Sequence, residues 1–173
     1  MKNIATNALS YTGIVTLSQY IGTKKIKVAQ LHNTGGASLF NFLSNCLAGD
    51  FAIAKLNRPT KVKLLRRYED AAGTYSYESV TQFIFLRTPP EPTFNAGESR
   101  VRFSFIIPRD FLDKLTSSDG VLGLGLYANS VLEGDTENFM AFCALDGLDR
   151  SALVNAFLDV DWELVISNPA SGR

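Results

Sequence analysis

Apolar and polar residues alternate along most of this chain, as they do in β-strands that bury one face. The alternation is clear near both ends, in "IVTLSQYIGTKKIKVAQL" and in "VDWELVIS". In the first stretch Lys25 and Lys27 alternate with apolar residues after Gly22-Thr23. This pattern predicts two short strands joined by a turn at Gly22-Thr23.

Five further stretches of the middle and later chain have strand character. They are "TKVKLLRRY", "SVTQFIFLRT", "RVRFSFIIP", "VLGLGLYA" and "NFMAFCAL". Each is rich in β-branched, aromatic or alternating apolar residues. Between the second and third stretch, "TPPEPTFNAGE" (88–98) is rich in proline and predicts a loop inside the domain.

One stretch has helical spacing instead. Its apolar residues are Leu39, Phe40, Leu43, Cys46 and Leu47. Ser38 is a suitable N-cap and Gly49 a suitable residue to end the helix, so we expect a helix near residues 38–48. The stretch "PRDFLDKL" predicts a single further helical turn.

The number of strands decides the fold class. Six to eight strands, each with one apolar face, need a second sheet to cover them. We therefore expect a mainly β fold, a β-sandwich or jelly-roll-like single domain over residues 1–173, with one α-helix near 38–48. A parallel α/β sheet would need a helix between most strands, and the chain has too few.

Composition narrows the class of protein. The chain has 173 residues, 46% of them hydrophobic, and no apolar run approaches the roughly 20 residues that span a bilayer. The stretch "MKNIATNALSYTG" lacks the apolar core of a secretory signal, so we expect synthesis in the cytoplasm. Cys46 and Cys143 both lie in apolar patterns, which favours buried free thiols over a disulfide framework.

The net charge of zero hides a division of the chain into two halves. Residues 1–67 contain ten basic residues and one acid, a net charge of +9, and residues 68–173 contain seven basic and sixteen acidic residues, a net charge of −9. Such asymmetry indicates an interaction surface. If the strands that carry them adjoin, the following residues form one basic interaction face: Lys24, Lys25, Lys27, Lys61, Lys63, Arg66 and Arg67.

This basic face has three interpretations. It could contact DNA phosphates, although aromatic residues are not interleaved as a stacking platform needs. It could meet the acidic loops around Glu133–Glu137 and Asp146–Asp149 of another copy, a head-to-tail contact that closes into a ring when the rotation permits. Scattered, solvated charge is the third interpretation.

The stretch "HNTGGAS" is the best candidate for chemistry, but it lacks what each known chemistry needs. A P-loop requires a lysine after the second glycine, and none follows Gly36 before Lys55. A Cys-His pair of Cys46 and His32 would place a nucleophile on the apolar stripe of a helix, where burial raises the pKa of a thiol. One histidine and two distant cysteines match no zinc pattern, and the acidic loops match no EF-hand. We therefore expect no catalytic residue, metal site or cofactor.

Three stretches bear a resemblance to a protein class. These stretches, "YTGIVTLSQYIGTKKIKVAQLHNTGGASLFNFLSNCLAGDF", "RPTKVKLL" and "VDWELVISN", resemble small all-β structural proteins of tailed bacteriophages, with crass-like phages as one candidate source. The resemblance implies a non-enzymatic building block of the virion, such as a neck or tail ring or a head-associated protein. It carries no catalytic motif.

Residues and resemblance together give one main hypothesis and two rivals. The main hypothesis is a virion subunit that forms a homo-oligomeric ring or binds other virion proteins, without a membrane role. The first rival is a sandwich that binds a carbohydrate or a host surface through aromatic residues, for which Tyr75, Tyr77, Phe94 and Trp162 are the candidates, although alternation predicts that Trp162 is buried. The second is an enzyme that depends on His32.

Overall fold

The strands and helices form a mainly β fold. The computed structural model describes residues 10–87, 91–95, 98–113, 120–146, 148 and 157–167. Its strands are β1 (Ser10–Ile21), β2 (Lys24–Gly35), β3 (Pro59–Glu69), β4 (Tyr75–Ser79), β5 (Ile84–Phe85), β6 (Glu91–Asn95), β7 (Glu98–Pro108), β8 (Val121–Ala128), β9 (Phe139–Ala144) and β10 (Phe157–Ser167). Its helices are α1 (Ala37–Leu47), α2 (Phe51–Leu56) and α3 (Arg109–Asp113). The expected mainly β, sandwich-like class and its helix near residue 38 are confirmed.

All the strands pair antiparallel, in the order β4-β3-β8-β9-β2-β1-β10-β7-β6, and β5 adds to β3. Strand β2 belongs to two halves of this sheet. Most of it pairs with β1, but Thr34 and Gly35 pair with Phe142 and Ala141 of β9. The strands β6-β7-β10-β1-β2 form the first half-sheet, and β9-β8-β3-β4 with β5 form the second.

The main core lies between the two half-sheets. Val15, Phe105 and Trp162 of the first half-sheet belong to the same buried cluster as Leu64 and Leu124 of the second. On β10, the residues that alternate with Asp159, Asp161 and Glu163 face this core, as the sequence pattern predicts. The buried, alternating faces make the fold a two-layered, sandwich-like arrangement.

The second half-sheet is also covered on its other face. Leu65, Tyr127 and Phe142 form a separate buried cluster there, against which Tyr77 and Phe83 pack. Consequently β3 and β8 are buried on both sides, although their sequences alternate. The chain 129–138, which joins β8 to β9, covers part of the same face.

Helix α1 ends as predicted but begins differently. Gly49 has a φ of +76°, and the amides of Gly49 and Asp50 donate to the carbonyls of Cys46 and Asn45. These two bonds form a Schellman motif, which a glycine in the left-handed region makes easy. The expected N-cap, Ser38, is wrong, because Gly36 occupies that position without any side-chain cap.

Four local assignments also differ from expectation. Residues 80–83 interrupt the predicted strand, because the Thr81 hydroxyl accepts a hydrogen bond from the Leu64 backbone amide (3.2 Å). The expected loop at 88–98 contains β6, an edge strand in which Pro92 is tolerated. Strand β4 and the short helix α2 are further elements that the sequence pattern did not predict.

Candidate interaction surface

The seven residues of the predicted basic face do not lie on one surface. Lys24, Lys25 and Lys27 are on β2, whereas the other four are on β3. The condition for a common face was that these strands adjoin, but β8 and β9 lie between them. The structure therefore divides the predicted face into two separate groups.

The β3 group contains two lysines that are buried. Lys61 is 8% exposed and Lys63 is 0% exposed. Lys61 Nζ donates to the carbonyls of Asn129 (3.2 Å) and Val131, and Lys63 Nζ donates to the carbonyl of Glu133. Both lysines bind the backbone of the β8–β9 connection at alternate residues, so their assignment to an exposed interaction face is wrong.

An aromatic ring and a carboxylate complete the surroundings of these two ammonium groups. They lie 4.4 Å and 4.1 Å from the centroid of the Phe83 ring. Lys63 also forms an ion pair of 3.0 Å with Glu133. Burial lowers the pKa of Lys61. The negative charge of Glu133 opposes this lowering, and the positive charge of Lys63 adds to it. A buried ammonium group is tolerated when paired and hydrogen-bonded in this way.

The two arginines of β3 are half-buried and engaged within the chain. Arg67 lies over the rings of Tyr75 and Phe142, with its guanidinium carbon 4.5 Å and 5.3 Å from their centroids. Arg66 lies 3.9 Å from Glu78 of the neighbouring strand β4. These contacts hold the exposed end of the second half-sheet together.

The charges of the two halves of the chain meet inside one molecule. Lys25 of β2 forms ion pairs with Asp159 (2.8 Å) and Asp161 (3.0 Å) of β10, across strand β1. Together with Lys63–Glu133 and Arg66–Glu78, these pairs join residues from the basic half to residues from the acidic half. Folding therefore pairs three of the ten basic residues of the first half with acidic residues of the second half.

Strand β2 has a long open edge. Residues 24–31 pair with β1 on one side, and no described strand pairs with them on the other. Lys24, Lys25 and Lys27 are exposed along this edge, and Tyr20 and Ile21 are exposed beside the hairpin turn, at 37% and 54%. We refer to residues 24–31 as the open edge.

The Gly35-Gly36 pair has a structural role, since the backbone at Gly36 passes close to strand β9. The Gly36 amide donates to the Met140 carbonyl (2.7 Å), and a Cβ at Gly36 would lie 2.4 Å from the carbonyl oxygen of Phe139. A residue with a side chain would collide with β9 at this crossing.

Of the two residues considered as a Cys-His pair, His32 is exposed on β2, and Cys46 is half-buried on α1.

A pocket lies between α1, the residue after α2 and the β8–β9 connection. Its volume is ≈560 Å³, and its polar lining includes Asn41, Asn57, Ser130, Asp135 and Asn138. We call it the helix–loop pocket. Sequence reasoning missed it, because its residues come from three distant segments and form no motif.

Internal hydrogen bonds hold the helix–loop pocket in shape. Asp135 accepts hydrogen bonds from the amides of Glu137 and Asn138 (3.0 Å each) and from the Asn138 side chain (2.6 Å). Burial opposes ionisation of Asp135, but these bonds outweigh it and lower its pKa. Ser130 donates to Asn57 Oδ1 (2.8 Å), which leaves the Asn57 amide hydrogens for a ligand.

The predicted acidic loops are not arranged around a metal site in the described part of the chain. No three His, Cys, Asp or Glu residues come together there in a way that could hold an ion. Glu133 instead pairs with Lys63, and Asp135 orders its own loop. Asp149 lies outside the described residues.

The aromatic candidates for sugar stacking are dispersed. Trp162 is fully buried, as its position in the alternation predicts. Tyr77 packs edge-on against Phe139 and Phe142, with ring centroids 4.8 Å and 5.4 Å apart. Tyr75 is exposed at 46% but lies under Arg67, and the Phe94 side chain is outside the described residues.

Comparison with known proteins identifies no relative. No protein-family model, curated protein or solved structure matches this chain. Within the described ranges, none of the helices has the length and apolar character needed to cross a membrane.

Proposed function

We propose that this chain is a non-enzymatic structural subunit that acts through protein–protein assembly, as a neck, tail-ring or head-associated protein of a tailed-phage virion. The observation that carries the proposal is the open edge of β2. The virion setting rests on the sequence resemblance, and its place of action would be the particle after synthesis in the host cytoplasm. Its partners are further copies of the chain and other virion proteins.

The open edge favours this function because unpaired strands are recognition elements. Native proteins protect exposed edges by shortening them or by placing proline or lysine on them, since an unpaired strand recruits another strand. The edge of β6 contains Pro92, and β4 has five residues. The open edge is longer than β4 and contains no proline, so lysines are its protection against pairing, and an acidic partner strand would neutralise them.

Charge indicates which partner strand the open edge would accept. Lys24 and Lys27 lie along this edge, and Lys25 is already paired with Asp159 and Asp161, so that two identical edges would repel each other through Lys24 and Lys27. A head-to-tail contact with an acidic segment of another copy, or of a different virion protein, avoids this repulsion. Such heterologous contacts form rings when they close.

Light scattering at low and high salt tests the proposal. We expect a discrete oligomer at low salt that dissociates as salt rises, because screening weakens contacts between exposed charges. The double variant Lys24→Glu/Lys27→Glu should shift the mass toward the monomer. Lys55→Glu on α2, away from the open edge, is the matched control and should leave the mass unchanged.

The opposite results are equally clear. A monomer at every salt concentration would contradict self-assembly and leave only binding to a different virion protein. Charge reversal at Lys61 or Lys63 is unsuitable for this experiment, since both are buried and their change would alter folding.

The helix–loop pocket favours a second candidate function, the binding of a carbohydrate or host surface. Its amides, hydroxyl and carboxylate can donate to and accept from the hydroxyls of a neutral ligand. A glycan array would test it, with Asn57→Ala as the pocket variant and Tyr75→Ala as the control outside the pocket. Glycan binding lost in Asn57→Ala alone would favour this function over assembly.

A further inference from the structure

A second cavity, distinct from the open edge and the helix–loop pocket, lies under helix α1 between the two half-sheets. Its volume is ≈200 Å³. Leu39 and Leu43 of α1 form its cover, and Phe103, Met140 and Leu164 form walls from β7, β9 and β10. We call it the sub-helix cavity.

The sub-helix cavity is lined almost entirely by apolar side chains. Apart from Arg58, its lining consists of apolar and aromatic side chains and Pro59. The hydroxyl of Tyr11, which also lines it, accepts a hydrogen bond from Asn33 (2.8 Å). Protein interiors are normally packed without voids of this size, so an unfilled apolar cavity forgoes contacts that an apolar ligand would supply.

Arg58 is the one charged residue among the described residues that line the sub-helix cavity. It is exposed, and no ion pair joins it to another described residue. A side chain of this kind packs its methylenes against the apolar wall and keeps its guanidinium in water. The cavity thus combines an apolar interior with one lining residue whose exposed side chain carries a positive charge.

We propose that the sub-helix cavity binds a small anionic amphiphile, an aliphatic carboxylate whose chain enters the cavity and whose head group meets Arg58. An apolar cavity of about 150 Å³ holds a molecule of benzene's size, so this larger one admits a short alkyl chain. The charge of Arg58 selects the carboxylate over an amine. This binding is independent of the assembly proposed above, because none of the residues of the open edge line the cavity.

Calorimetric titration with sodium octanoate tests the proposal, with octanol and octylammonium as comparison ligands. We expect octanoate to bind with one-to-one stoichiometry and more tightly than octylammonium. Arg58→Gln should weaken octanoate binding about fivefold, the effect of a largely exposed ion pair, and leave octanol binding unchanged. Lys55→Gln removes the same charge elsewhere and should change neither affinity.

A cavity-filling variant locates the binding site. Leu43→Phe should abolish binding of octanoate and octanol alike, and Val101→Phe from the opposite wall should do the same if the first variant folds poorly. Methyl resonances of Leu39, Leu43 and Leu164 should shift on titration of the wild-type protein. Failure of octanoate to bind, or binding that both filled variants retain, would overturn the proposal.

Discussion

Lys63 Nζ lies 3.0 Å from Glu133 Oε1, in an ion pair whose lysine is fully buried and whose carboxylate side chain is 54% exposed. The lysine extends from β3 through an aromatic cluster to the connection between β8 and β9. Together with Lys61 it binds the carbonyls of residues 129, 131 and 133. These residues flank the helix–loop pocket, so two lysines of a sheet determine the shape of a surface loop.

The first prediction concerns this lysine. Lys63→Met should lower the free energy of unfolding by about 2 kcal/mol, because the Glu133 carbonyl loses its donor inside the protein. Urea denaturation measures the change, and hydrogen exchange should accelerate in residues 129–138. Lys55→Met on α2 is the exposed control and should change stability by less than about 0.5 kcal/mol. A Lys63→Met protein as stable as the wild type would show that apolar packing replaces the ion pair fully.

The second prediction concerns acid stability. Burial alone would raise the pKa of Asp161, but hydrogen bonds from Ser104 and Lys25, and the charges of Lys25 and Arg102, outweigh it, so that the pKa falls below 3.8. A carboxyl group with a lowered pKa stabilises the fold above its unfolded-state pKa, and this stabilisation disappears as the pH falls through the folded-state value.

Asp161→Asn should therefore reduce the loss of stability between about pH 5 and pH 2. Denaturant unfolding at several pH values measures the slope. Glu69→Gln, an exposed change at the end of β3, should keep the wild-type slope. Equal slopes for Asp161→Asn and the wild type would contradict the assignment of acid sensitivity to this carboxylate.

The third prediction concerns the two free thiols. Burial, reinforced by the charge of Asp146, raises the pKa of Cys143 to about 12. Because only the thiolate reacts, iodoacetamide at about pH 8 should leave Cys143 unmodified in the folded protein. Peptide mass spectrometry should find full modification in denaturant. Cys46, half-buried on α1, is the internal comparison and should react first.

The fourth prediction concerns the glycine pair before α1. Gly36→Ala should cost about 2–3 kcal/mol, because the new methyl group must displace the backbone of β9. Gly134→Ala is the control, since nothing lies within 4 Å of the place where its Cβ would stand and its φ is not in the left-handed region. Thermal denaturation of both variants gives the comparison. A Gly36→Ala protein as stable as Gly134→Ala would mean that the crossing at Phe139 is not tight.

Local patterns in the chain were sufficient to predict most strands. The hairpin turn falls at Gly22, with a φ of +64°, and β10 alternates between core and solvent as its letters do. These elements could be predicted because successive side chains of a strand point to opposite faces of the sheet, so that position along the strand determines the face. The prediction for residues 80–83 was wrong because a side-chain hydrogen bond of Thr81 interrupts the strand. The prediction for residues 91–95 was wrong because an edge strand tolerates the proline that indicated a loop.

The candidate site was less predictable. The alternation in β3 placed Lys61 and Lys63 on a polar face, but Leu65 lies on that same face and is buried. Leu65 was the available signal that something covers the lysines. What covers them is Phe83 and the β8–β9 connection, and their proximity arises from long-range packing.

The sequence by itself determined the class of fold, the hairpin, the helix and its glycine stop, and the burial of Trp162, since each depends on residues that are neighbours along the chain. Only the tertiary structure decided which charged side chains are exposed and which form ion pairs within the molecule. Strand order separated β2 from β3 and brought Lys25 to Asp161, a residue 136 positions away. The physical reason is that pairing between strands depends on the packing of the whole sheet, which no local pattern encodes.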